Sequence, residues 1–214
     1  MQVMKKIGLI FAMKKEMRPF EGKFPAERVR CALSGIGKVN AAVCAQKLIL
    51  DFAPDCIISV GCAGSFSEKV RVGDIVIAKE TAYHDFFDGE EFGHVPGLPH
   101  RFPSDERLVA VVSEFMSDAL SGLICSGDQF YIGEFEDKRQ KELCPDALAV
   151  DMESAAIAQV CYLYSVPFVS VRAISDVHVG GHQAQQYENF WKNGSEGPFC
   201  RIGEIVETLL DTVE

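Results

Sequence analysis

The chain has 214 residues, enough for one large hydrophobic core and short for two domains. At 48% hydrophobic and 24% charged residues it has the composition of a soluble globular protein, which excludes a disordered or fibrous chain. A formal net charge of -10 argues against a nucleic-acid-binding or anionic-membrane-binding surface, and leaves open a small substrate that responds to the local field of a pocket.

Eight cysteines would suit a disulfide framework in a small secreted chain. Here Cys31, Cys56, Cys125 and Cys161 sit inside apolar runs, where free cysteine behaves as a small hydrophobe, and no pair has the C-x2-C metal spacing. Lys5 and Lys6 precede only the short apolar run Ile7 to Met13, too short for a signal peptide or a span. The expectation is a cytoplasmic, reduced protein with no membrane or nucleic-acid partner.

In chain order, Lys6 to Ala12 reads as a buried central strand. It turns at Met13-Lys14-Lys15-Glu16-Met17 into a short helix that Pro19 cannot extend far. Val29 to Leu33 is a second strand, and Gly35 and Gly37 allow a tight turn before a helix over Val39 to Leu50. Cys56 to Val60 is a third strand, followed by a glycine-punctuated turn over Gly61 to Ser65; Ile75 to Ala78 is a fourth. From Tyr83 to about Ser104 runs a long connection rich in Phe, Gly, Pro and His, the composition of a site lid or interface element.

Asp105 to Met116 reads as an amphipathic helix, Gly122 to Cys125 as a strand, and Gly133 to Leu143 as a charged surface helix. Then comes AVDMESAAIAQVCYLYSVPFVSVRAISD, Ala149 to Asp176: a short strand, a helix, and a strand over Pro167 to Ile174 that stops at Ser175 and Asp176. Val177 to Gln186 is a loop, Trp191 lies in a weak helical stretch, Gly194 to Gly197 breaks it, and Phe199 to Val213 is a closing helix. Six or seven strands alternating with four or five helices predict an α/β domain with a mostly parallel sheet covered on both faces.

In such a sheet ligands bind beyond the carboxyl ends of the strands. The acids found there are Glu16, Asp151, Glu153 and Asp176. A structural role competes for two of them, since Asp176 suits a helix N-cap and Glu153 a helix N-terminus. Arg172 inside a strand is costly unless paired, and a neighbouring acid such as Asp151, Glu153 or Asp176 is its natural partner. Two or three carboxylates at neighbouring strand ends suit general acid/base work on a neutral substrate. A thiol nucleophile at Cys62 is the alternative, although no histidine is placed by sequence to activate it. His84, His94, His100, His178 and His182 all fall in loops, where surface or rim positions and no metal are expected. Gly37-Lys38-Val39 fails the P-loop pattern, and Asn40 replaces the last glycine of a dinucleotide fingerprint.

The segments IGLIFAMKKE, LSGIGKVNAA, VGCAG, VGDIVIA with YHD, SGDQF, VDMESAAIAQVC and VPFVSVRAISD follow one another in this order. Together they resemble the bacterial 5′-methylthioadenosine/S-adenosylhomocysteine nucleosidases, within the wider purine nucleoside phosphorylase-like family. The resemblance implies one domain over residues 1–214, a twisted mixed, mostly parallel sheet flanked by helices, a homodimer, and no cofactor. It implies an enzyme that hydrolyses the N-glycosidic bond of adenine nucleosides and releases adenine. A 6-amino-6-deoxyfutalosine nucleosidase, a phosphate-dependent phosphorylase and a non-catalytic purine-nucleoside binding protein stand as alternatives.

By the same resemblance Glu16 activates the attacking water and Asp176 protonates the purine as the bond breaks. Glu153 holds the ribose hydroxyls and Met152 lies against the sugar. Phe130, the backbone at Tyr131, Cys62 and Ser175 receive the base, while Met13, Ile36 and Tyr187 receive the 5′ substituent. Phe92 and Pro96 reach into the partner subunit's pocket, and Arg172 with Asp151 is a structural ion pair. The chain departs from the family pattern in having only 18 residues between Glu16 and Gly35, in Cys62 for serine, Asp151 for glutamate and Tyr187 for phenylalanine, and in the loop HVGGHQAQQ.

Overall fold

The computed structural model describes residues 5–130, 143–178 and 182–211. Eight strands form the sheet: β1 (Ile7–Phe11), β2 (Val29–Leu33), β3 (Cys56–Ser65), β4 (Ile75–Tyr83), β5 (Phe102–Pro103), β6 (Leu120–Ser126), β7 (Ala147–Asp151) and β8 (Phe168–Val177). The helices among the described residues are α1 (Lys14–Met17), α2 (Lys38–Phe52), α3 (Glu106–Phe115), α4 (Ser154–Tyr164), α5 (Gln183–Asn189) and α6 (Glu196–Asp211), with a 3-10 turn at Arg18–Phe20 and a π turn at Phe190–Gly194.

β2, β1, β3 and β8 run parallel to their neighbours, as do β4, β6 and β7, while β8 pairs β4 and β3 pairs β7 antiparallel. The pairings β3–β8–β4–β6–β7–β3 close on themselves, so part of the sheet rolls into a small barrel. Ala63, Val76, Ala78, Ile124, Ala149 and Ile174, from those five strands, form one apolar cluster. The two outer layers follow from side-chain alternation. Ile7, Leu9, Phe11, Ile58 and Val60 pack with α3 and α6, whereas Ile10 and Ile57 pack with α2 and α4. β1 is buried along its whole length, which is why its sequence is a continuous apolar run.

Several expectations need correction. β3 does not turn at Gly61 but continues to Ser65, because β8 pairs with it from Ile57 through Ser65. β8 likewise continues through Ser175 and Asp176 to Val177. β4 extends past Ala78 to Tyr83, and its mid-strand Lys79 is exposed where the pairing with β6 skips a residue. α6 begins at Glu196, inside the expected Gly194–Gly197 break; Pro198 is tolerated because first-turn N–H groups need no helical partner. The charged helix expected over Gly133 to Leu143 lies, save its last residue, outside the described residues. Among the described residues no helix is long and apolar enough to cross a membrane.

Candidate active site

At the carboxyl ends of β1, β3, β7 and β8 lies an open cleft whose space, open solvent at the mouth included, is about 690 Å³. Met13, Glu16, Ile36, Cys62, Phe130, Asp151, Met152, Glu153, Ser175, Asp176 and Tyr187 all line it. Tyr131 lies outside the described residues. Phe92 and Pro96 do not line this cleft, and Phe92 stacks on Phe87 with ring centroids 4.7 Å apart.

Glu16 sits one turn after β1, in the third position of α1, and is only 1% exposed. Its carboxylate reaches back to accept from the Met13 backbone N–H (2.8 Å) and across to accept from the Cys62 backbone N–H (3.0 Å). Burial raises its pKa, opposed by the Cys62 N–H and by the charge of Arg172. This is the setting of a carboxylate base made stronger than an exposed one. Gly61 makes the approach possible, since a Cβ there would stand 3.0 Å from Glu16 Oε1. Cys62 is not the alternative nucleophile. Burial, then the negative charge of Glu16, push its thiol well above its usual range, so it stays protonated.

Glu153 occupies the residue before α4 without a side-chain bond to that helix's N–H groups, and accepts instead from the Gly37 N–H at 2.9 Å. Burial and the neighbouring charge of Asp151 raise its pKa to about 7. Asp151 belongs to a different network. It accepts from Arg172 Nε at 2.7 Å, Ser126 Oγ at 2.5 Å and the Ser154 hydroxyl, and Arg172 in turn donates to Ser59 Oγ at 2.8 Å. Arg172 is therefore held behind the cleft, and no lysine or arginine is among the described residues lining it.

Asp176 owes its position to an irregularity in β8. Ala63 pairs with Ile174 but Gly64 pairs with Asp176, so Ser175 is an extra residue, and such a bulge re-aims the side chains beside it. Ser175 Oγ donates to Asp176 Oδ1 at 2.6 Å, and His178 Nε2 lies 3.1 Å from Oδ2. Glu16 packs against Gly61 and Asp176 against Gly64. These contacts are three residues apart on one strand, roughly 10 Å by strand rise. The rim is aromatic. Phe130 is 60% exposed and meets Tyr187 edge-on at 5.7 Å, while Lys15 Nζ donates to the Tyr187 hydroxyl at 2.8 Å and lies 3.9 Å from the Trp191 ring centroid.

The expectation of rim histidines fails at two positions. His84 is buried, and the His178 side chain, 5% exposed, stands inside the cleft. His178 is two residues from Asp176, the spacing that puts both on one side of a strand. That signal was available, but only if the strand is continued past Ile174. The Gly37 N–H that holds Glu153 had no such signal, since nothing local links residues 116 positions apart.

The profile of the Phosphorylase superfamily matches residues 7–206. A 5′-methylthioadenosine/S-adenosylhomocysteine nucleosidase of Staphylococcus aureus is 45% identical over 184 residues, 82% of this chain and 80% of the relative. The crystal structure of such a nucleosidase from Neisseria meningitidis, in complex with methylthio-immucillin-A, superposes with a TM-score of 0.86 at 34% identity, covering 95% of this chain and 99% of that one. The corresponding structure from Colwellia psychrerythraea, in complex with adenine, gives 0.88 at 31% identity, covering 99% and 96%.

Proposed function

Because this chain belongs to the 5′-methylthioadenosine/S-adenosylhomocysteine nucleosidase family, we propose that its cleft hydrolyses the N-glycosidic bond of those two adenine nucleosides, releasing adenine, with the following division of labour. Glu16 takes a proton from the attacking water. Asp176 protonates the purine as the bond to the sugar breaks. Glu153 accepts from the ribose hydroxyls and Met152 packs on the sugar. Phe130 stacks on the base beside Cys62 and Ser175, and Met13, Ile36 and Tyr187 surround the 5′ substituent.

The observation that carries this reading is the set of three buried carboxylates in one cleft, each held by different donors. Bond cleavage at a glycosidic carbon builds positive charge on the sugar and negative charge on the leaving base. A base for water and an acid for the leaving group answer those two needs. The lack of arginine and lysine among the described lining residues favours water over phosphate as nucleophile.

The active species is a homodimer in which Phe92 and Pro96 complete the partner's pocket. In support, α2 carries an outward apolar stripe, Val39, Val43 and Leu50, which are 74%, 59% and 65% exposed. Stripes of that kind mark association surfaces. Eight free cysteines, three of them buried, suit the reducing cytoplasm.

The test is adenine release from methylthioadenosine, adenosylhomocysteine and 6-amino-6-deoxyfutalosine, with and without phosphate. Release from the first two that ignores phosphate is expected, with Asp176→Asn lowering kcat by about 10²-fold or more. Strict phosphate dependence, or no release at all, overturns the reading.

A further inference from the structure

Asp176, read above as the acid that protonates the base, must regain a proton once per turnover. Its oxygens are both engaged inside the protein, Oδ1 by Ser175 Oγ at 2.6 Å and Oδ2 by His178 Nε2 at 3.1 Å. Substrate filling the cleft excludes water from it. The imidazole is then the titratable group in contact with the carboxylate.

We propose that His178 is a positioning and proton-returning residue for Asp176, an inference that rests on the nucleosidase reading of this cleft. The step is balanced within the pair. The Nε2–H bond of the imidazolium breaks, an O–H bond forms on Asp176 Oδ2, and the neutral imidazole takes its next proton from water that enters once product has left the cleft. Imidazole suits this task because it changes charge near neutral pH.

The geometry is built rather than incidental. The His178 backbone N–H donates to Ser65 O at 2.8 Å, which ties it to the end of β3, and its ring packs on Phe66 with centroids 4.3 Å apart. A Cβ on Gly64 would stand 3.0 Å from both Asp176 Oδ2 and His178 Nε2. Any larger residue there would force the pair apart. Among the described residues, the titratable and charged groups around the same cleft are Asp176 on β8, Glu16 from α1 with Arg172 behind it, Cys62 on β3, Asp151 and Glu153 at the end of β7, and Tyr187 from α5 with Lys15 beside it. Asp176 Oδ2 lies 3.1 Å from the imidazole Nε2.

The experiment is the pH profile of kcat for adenine release by the full chain and by His178→Gln, which keeps a hydrogen-bond donor but has no proton to exchange near neutral pH. Expected are a KM within about threefold of the starting protein and a kcat lower by about 10²-fold, with one ionisation missing from the profile. His178→Gly should regain several-fold in kcat when free imidazole is added, a response that a structural role does not produce. A His178→Gln profile parallel to that of the starting protein, with no imidazole rescue of His178→Gly, overturns the proposal. If instead the starting protein releases no adenine, the nucleosidase reading fails. If it does release adenine, Asp176→Asn abolishes that release and the His178 variants behave normally, only the His178 proposal fails.

Discussion

At the scale of single residues, the carboxylates proposed to make the cleft reactive also work against the fold. Glu153 has an ordinary value of 4.5 that burial, then the charge of Asp151, raises to about 7 in the folded chain. Between those values the folded protein holds a proton that the unfolded chain has released. Stability therefore falls as pH rises from about 4.5 to about 7, and the loss is complete above the folded value. Glu16 acts in the same direction through its own burial. Replacing Glu153 with glutamine leaves an oxygen for the Gly37 N–H and removes the buried charge. Glu153→Gln is expected to be more stable than the starting protein at pH 8, by an amount of order 3 kcal/mol at most, and to lose that advantage near pH 4.5. Urea melts at the two pH values measure this directly. An equal difference at both would mean that the carboxyl is not the origin.

At the scale of elements, β3 is the strand that sets the site's dimensions. The sequence reads Gly61 and Gly64 as turn glycines, yet both lie in extended strand and are small because other side chains occupy the space. Glu16, 45 positions earlier, fills the room beside Gly61, with Arg172 Cζ 3.6 Å from the same point. Gly61→Ala would push against a carboxylate already fixed by two backbone N–H groups. We expect a stability loss of about 1–3 kcal/mol from overpacking and a fall in kcat of up to about 10²-fold from misplacing the base by a fraction of an ångström to an ångström. Comparing kcat with the urea midpoint separates the two effects. A stability loss with unchanged kcat would show that Glu16 does not need its present position.

At the scale of the whole molecule, the apolar side chains left outside are grouped. Val39, Val43 and Leu50 lie on one face of α2, and Tyr162, Leu163 and Tyr164 are exposed at the end of α4, which packs against α2. Gln46 Nε2 donates to Tyr164 Oη at 2.8 Å and joins the two groups. If this face holds two copies together, Val43→Glu should convert a dimer to a monomer by light scattering, since a buried unpaired charge is strongly unfavourable at an interface. On the proposed dimer adenine release should fall with it, because each pocket would then lose the partner's Phe92 region. A Val43→Glu protein that remains dimeric would place the interface elsewhere.

The sequence by itself determined the order of most strands and helices, because alternation and apolar runs are local properties of the chain; β5 and the start of α5 fall in segments that it reads as loops. It also located the carboxylates at strand ends, and the resemblance then divided roles among them. Sequence periodicity ended β3 and β8 too early, because glycine and polar residues at Gly61 to Ser65 and at Ser175 and Asp176 look like turn chemistry when read locally. Only the tertiary structure decided that these residues continue as paired strands with Ser175 bulged out of register. His178 meets Asp176 two residues along the same segment, while the Gly37 N–H at the start of α2 meets Glu153 at the start of α4. The second contact joins residues 116 positions apart on separate elements, which no local window of sequence contains.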